Sequence, residues 1–193
     1  IRRQRQMCIR DRLSKSETRR ALRQRAHTLF RLRRYPEALA AFEALPQTDD
    51  VPIWRARSMA RAGRVFEAID AFEQIAEESR GWMSVRARFL AALLLDGRDL
   101  QERAEAHYRV VSRSSRSAGM GDAADWRLGW SAYRQGRYDL ALLYFDRLIA
   151  RTRGDRIDQL RPRYWRARTL AHMGDPRAQS EFTDIARAFP LSY

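Results

Sequence analysis

Apolar residues recur at helical spacing along most of this chain, and they do so inside a repeating frame. Ala26 is followed twelve residues on by Ala38 and four further by Phe42, and the same steps return as Ala56, Ala68 and Phe72. The frame reappears as Gly129, Ala141 and Phe145, with Gly136 and Tyr138 between them. Looser forms are Ala104 with Tyr108, and Gly174, Ala178, Phe182 and Pro190. The aromatic anchors Phe42, Phe72, Tyr108, Phe145 and Phe182 are 30, 36, 37 and 37 residues apart. Such a period predicts a helix–turn–helix unit repeated about five times, over approximately 19–46, 51–79, 82–112, 122–151 and 161–190.

Each part of the unit has a physical role. The first helix is expected to stop at a Gly-Arg or Gly-Asp turn, where glycine supplies the left-handed conformation of a helix end. A small residue (Ala38, Ala68, Ala141 or Ala178) then lets the second helix approach closely, and the aromatic one turn later fills the gap between units. Residues 139–150 are apolar around most of a helical circumference, as a helix covered on several sides would be. No stretch alternates with period two for long enough to make a strand. The Leu-Gly…Tyr…Ala…Phe…Pro succession resembles the tetratricopeptide repeat. The expected fold is therefore all-α: tetratricopeptide-like helical hairpins stacked in a right-handed superhelix, one solenoid over 13–193. Its connections at Ser112 to Gly121 and Arg151 to Pro162 read as irregular polar spacers.

The first twelve residues stand apart from this pattern. Residues 2–12 hold five arginines and Cys8, the chain's one cysteine, without an apolar stripe. Back-translated, ten consecutive residues from Arg2 spell a sequence similar to a transposase-type sequencing-library adapter. The stretch reads as an artefactual tail, to be set aside in reasoning about fold. A truncated reading frame, with any signal peptide upstream, is the corresponding expectation. Without the tail there is no cysteine, hence no disulfide framework or thiolate chemistry to propose.

Composition adds bounds rather than an activity. The chain has 193 residues, 45% hydrophobic and 32% charged, with a mean hydropathy of −0.63. No run approaches the length and apolarity of a membrane span. The net charge is +14, carried by arginine with Lys15 as the one lysine. Setting the tail aside leaves 33 basic and 23 acidic residues, a balance of +10. Those arginines are mostly interleaved with Asp and Glu, the pattern of a solvated face, which disfavours nucleic acid as the partner.

The C-terminal third carries more particular residues. Trp126-Arg-Leu-Gly-Trp130 is followed by Tyr164-Trp165-Arg-Ala-Arg168, and the chain closes on Phe189-Pro190-Leu-Ser-Tyr193. Over residues 122–193 this succession resembles the α-superhelical region of soluble lytic murein transglycosylases. The resemblance implies a non-catalytic segment of a periplasmic, peptidoglycan-cleaving parent. Its Glu-Ser catalytic pair would lie in a further, lysozyme-like domain. Glu78-Ser79 matches that pair in letters only, because it closes a repeat helix without an apolar pocket to raise a carboxyl pKa. No catalytic residue, cofactor or metal site is assigned, and His27, His107 and His172 fall in separate units without partners at ligand spacing. The candidate surface is the concave face of the first helices, with Arg57, Arg61, Trp126, Trp130, Arg134, Tyr164 and Arg168 near it. These residues either bind glycan strands or a protein partner, or Trp126, Trp130 and Tyr164 are packing between units.

Overall fold

A computed structural model describes residues 15–114, 118–151 and 156–190. The adapter-like tail lies outside them. The described residues form ten α-helices and no strand. In chain order these are α1 (Lys15–Arg31), α2 (Tyr35–Glu43), α3 (Val51–Arg61), α4 (Val65–Glu78) and α5 (Trp82–Asp96). They continue as α6 (Gln101–Ser112), α7 (Ala118–Arg134), α8 (Tyr138–Arg151), α9 (Arg156–His172) and α10 (Arg177–Ala188). The fold is all-α and built from helical hairpins. Contacts divide the chain into two compact units, residues 1–87 and 88–193, with the division inside α5.

The alanine–aromatic frame is the core of each unit. In the first, Ala26, Ala38, Phe42, Leu45 and Val51 cluster together, with Phe30 and Trp54 packed against them. In the second, Ala132, Ala141, Phe145 and Leu148 form the equivalent cluster, flanked by Trp126, Tyr133 and Trp165. Phe72 and Tyr108 are also buried, whereas Phe182 is half-buried. Gly129 shows how tight the helix approach is. A Cβ built there would lie 2.8 Å from Cε1 of Phe145 and 3.2 Å from Cβ of Tyr144.

The five turns share one hydrogen-bond pattern. The backbone N–H of Arg34, Arg64, Leu100, Arg137 and Asp175 each donates to the carbonyl five residues earlier, at 2.9–3.0 Å. This Schellman closure requires a left-handed residue just before the donor. Gly63, Gly136 and Gly174 supply it as expected, with φ of 92°, 71° and 69°. The other two turns depart from the expected Gly-Arg or Gly-Asp form. Arg33 (φ 60°) and Asp99 (φ 59°) occupy the position, and Gly97 does not. Asp tolerates this conformation through its short polar side chain; an ordinary side chain such as that of Arg33 is strained there by about 1–2 kcal/mol.

Two connections are shorter than the polar spacers predicted. The Gly-rich stretch from Ala118 to Gly121 is already helical, and Gly121 is buried where a Cβ would meet the Ser112 and Val111 carbonyl oxygens at 3.8 and 3.9 Å. Likewise α9 begins at Arg156 and contains Pro162, buried inside the helix at the cost of one backbone donor.

Candidate partner-binding site

The same four residues occur in two first helices: Trp54-Arg55-Ala56-Arg57 in α3 and Trp165-Arg166-Ala167-Arg168 in α9. In each, the alanine is fully buried and the next residue, Ser58 or Thr169, is buried with it. Their hydroxyls donate back to the Trp54 and Trp165 carbonyls at 2.9 and 2.7 Å. With that face turned inward, the tryptophan and the arginine three residues on share the neighbouring face.

The aromatic surroundings are also alike. Trp54 meets His27 at 4.7 Å and Phe30 at 5.2 Å, both edge-to-face, from α1. Trp165 meets Trp130 at 4.5 Å and Tyr133 at 5.1 Å, again edge-to-face, from α7. The turn tyrosines Tyr35 and Tyr138 extend the clusters, 5.4 Å from Phe30 and 6.0 Å from Tyr133. Arg57 lies over this floor, its guanidinium carbon 4.2 Å from the Trp54 ring centre and 5.3 Å from Phe30. Arg168 lies 5.4 Å from Trp165 and 6.0 Å from Tyr164. A guanidinium on an aromatic face is held by cation–π attraction and keeps its N–H edge available.

In the second unit the aromatic surface is longer. Trp126 and Trp130 stack 6.3 Å apart, and Arg161 covers Trp126 at 3.7 Å. Trp126 also reaches the core at Phe145 (5.9 Å), and Tyr164 packs on Phe182 (6.0 Å). Trp126, Trp130, Tyr133 and Trp165 are half-buried, while Tyr164 is 38% exposed. Each ring therefore both packs and keeps some surface. Next to Trp130, the exposed Arg134 helps to line a depression of about 100 Å³ with Asp96, Gln101, Arg127 and Gln135.

Charge differs between the two arginine positions. Burial, then the charges of Arg86 and Arg61, push the Arg57 pKa down. The Arg168 pKa is raised, first by its hydrogen bond to the Tyr164 hydroxyl at 3.4 Å. Burial and then Arg127 lower the Arg161 pKa against the opposing pull of Asp158.

Of the residues singled out from sequence, Arg57 and Arg61 belong to the first unit, with Arg61 exposed at the end of α3. Trp126, Trp130, Arg134, Tyr164 and Arg168 fall together on α7 and α9 of the second. Sequence reasoning passed over Trp54, Tyr133, Arg161 and Trp165 as surface residues. The repeated Trp-Arg-Ala-Arg was the signal that marks two of them. Glu78 is exposed at the end of α4 and accepts a hydrogen bond from Gln74 at 2.8 Å. Among the described residues, no three His, Cys, Asp or Glu side chains are grouped to hold a metal ion, and no helix is long and apolar enough to cross a membrane.

Residues 123–151 match the family model of the tetratricopeptide repeat. That segment takes in the last twelve residues of α7 and the whole of α8, the hairpin that contains Gly129 and Phe145. Similar folds extend over most of the chain. A variant of the nearly identical TPR-like repeats of a kinesin light chain from Podosopora anserina superposes with a TM-score of 0.62 at 15% identity. It covers 92% of this chain and 97% of that one. BtubC (BKLC) from P. vanneervenii gives 0.59 at 19% identity, covering 80% and 70%. At such identities the likeness is one of fold. The chain is a tetratricopeptide-like helical repeat protein in architecture. No curated protein sequence matches it.

Proposed function

We propose that the chain is a non-catalytic scaffold whose first helices bind a protein partner through the tryptophan–arginine surface. The observation that carries this reading is the recurrence of one constellation, Trp54 with Arg57 and Trp165 with Arg168, in two separate units. Packing alone asks for the buried alanine and the aromatic floor; it does not ask for a guanidinium laid on that floor in both places. Half-exposed Trp and Tyr with adjacent Arg are also the residue types that concentrate binding energy at protein interfaces. Helical-repeat proteins present such surfaces to extended segments.

Selection from a displayed library of random peptides tests the reading. The expected outcome is a recurrent peptide sequence whose binding falls about tenfold or more in Tyr164→Ala combined with Arg134→Ala, since truncated interface anchors cost upward of 1–2 kcal/mol. Failure to enrich any sequence, or equal binding by the double variant, would count against it.

A second reading follows from the resemblance of residues 122–193 to the superhelical region of lytic murein transglycosylases. On that reading the same surface positions glycan strands in the periplasm for a catalytic domain downstream. Co-sedimentation with purified sacculi, reduced by the same double variant, supports it. A reading frame beyond Tyr193 without a Glu-Ser lysozyme-like domain removes it.

A further inference from the structure

Aligned on the repeated Trp-Arg-Ala-Arg, α9 is six residues longer than α3 at its start. With Trp54 on Trp165, the last residue of α3, Arg61, falls on His172, the last of α9. The first residue of α3, Val51, falls on Pro162, yet α9 begins at Arg156. Val51 and Pro162 are both buried. Proline suits the first position of a helix, where an N–H has no partner to lose. Inside a helix it removes a hydrogen bond and disfavours helical backbone at the residue before it. Residues 156–161 are therefore an extension on a helix whose own start signal is still in place.

That extension is lightly held. Of residues 158–161 none is buried, whereas Pro162, Ala167, Thr169 and Leu170 are. A helix leaves its first four N–H groups unbonded, so little of the hydrogen-bond ladder lies ahead of the proline. Arg161 is exposed, and it makes no ion pair or hydrogen bond among the described residues. Its guanidinium carbon sits 3.7 Å from the Trp126 ring centre. In the first unit the positions corresponding to Trp126 and Arg161 hold Arg23 and Asp50, which form an ion pair. The second unit has a cation on an indole there instead, and the contact covers a ring of the candidate surface.

We propose that residues 156–161 form a hinged strap, with Pro162 as hinge and Arg161 as latch, that covers Trp126 in the free chain and swings away when the partner binds. The inference rests on the scaffold reading above and adds to it a built-in competitor for the partner. Opening a segment with few buried contacts is a small, local event. A cation–π contact at an exposed site favours the closed form only severalfold, and the partner's affinity is reduced by that same factor. Trp126 itself stays in place when uncovered, because it stacks on Trp130 at 6.3 Å and reaches the core at Phe145.

The first arm of the test is acrylamide quenching of tryptophan fluorescence in the free, whole chain. Each protein is measured beside the same protein carrying Trp126→Phe, which gives the Trp126 share by difference. Arg161→Gln should raise that share, while Arg161→Lys, which keeps a cation, should stay near the wild type. Pro162→Ala restores the missing donor and should lower it, with the thermal melt unchanged or raised. In the second arm, a peptide selected on the whole chain should bind Arg161→Gln about two- to fivefold tighter, and Pro162→Ala more weakly. Unaltered Trp126 quenching in Arg161→Gln overturns the latch, and increased quenching in Pro162→Ala overturns the hinge. Weaker peptide binding by Arg161→Gln would place Arg161 in the binding surface and overturn the strap as well. If the library enriches nothing, the scaffold reading falls, and the strap stands or falls on the quenching.

Discussion

Replacing Phe145 by alanine is expected to destabilise the second unit by about 3–5 kcal/mol, the cost of emptying a large aromatic site in a packed core. Phe145 is fully buried, touches Trp126 at 5.9 Å, and lies against the backbone of α7 at Gly129. Removing it takes away the support under Trp126, so urea unfolding and peptide binding should both suffer. Gly129→Ala attacks the same contact from the other side. The added methyl would press on the Phe145 ring and on Tyr144, at about 1–3 kcal/mol for overpacking. Alanine's higher helix propensity recovers up to about 1 kcal/mol of that. Combined with Phe145→Leu, the Gly129→Ala penalty should shrink, because the ring that blocks the methyl is gone. Full additivity in that cycle would mean the contact is not what fixes the glycine. The first unit shows the permissive version: Ala26 holds the corresponding place in the frame, in one cluster with Phe42.

The second large effect belongs to Glu105. Its carboxylate, on α6, is 8% exposed and accepts hydrogen bonds from Ser131 Oγ (2.8 Å), Gln135 Nε2 (3.3 Å) and Arg137 Nη2 (2.7 Å), with Arg109 Nη2 at 2.7 Å on its other oxygen. It thereby pins the α7–α8 turn onto α6. Glu105→Ala is expected to cost about 1.5–3 kcal/mol, since charge-assisted hydrogen bonds are lost and their donors are left in a partly closed site. Both arginines keep solvent access, which holds the figure below that of a sealed ion pair. Burial raises the Glu105 pKa, but Ser131, Arg137 and Gln135 together outweigh it and hold the carboxyl below its ordinary value of 4.5. A depressed pKa in the folded state gives stability that is present above pH 4.5 and lost as pH falls through the folded value. Acid unfolding should therefore be less steep in Glu105→Gln than in the wild type.

Asp125 runs the other way. Fully buried between Ser112 and Arg151, its carboxyl is raised by burial, which outweighs both partners. Its contribution is greatest below the ordinary value of 3.8 and diminishes as pH rises through the folded value. Asp125→Asn should leave the Glu105 acid response in place.

Much of this was legible in the sequence, for a reason that repeats make plain. Where a position must be small because a helix crosses it, the same requirement recurs each period, as at Ala38, Ala68 and Ala141. Where the requirement is conformational, the residue type is less constrained, so Arg33 and Asp99 take turns that a search for glycine misplaces. Glu105 shows a different limit. The frame aligns it with Leu39 and Ile69, both buried, and a glutamate at that register is a visible anomaly. Arg109 is a local partner one turn on, but those at residues 131, 135 and 137 come from the next hairpin, and no local pattern points to them. The candidate surface was half-read for a similar reason. Trp126, Trp130 and Tyr164 stand out as aromatics, but the rings that pack against Trp54 and Trp165 come from helices α1 and α7, which no local pattern links to them.

Hydrogen–deuterium exchange, with and without a peptide selected on the whole chain, tests most directly whether the first helices carry binding. Protection is expected in α7 around residues 126–134 and in α9 around 164–172, or in α3 around 54–61, with α8 and α10 unchanged. Protection confined to α8 and α10, while the first helices exchange as in the free chain, would contradict the tryptophan–arginine surface as the binding face.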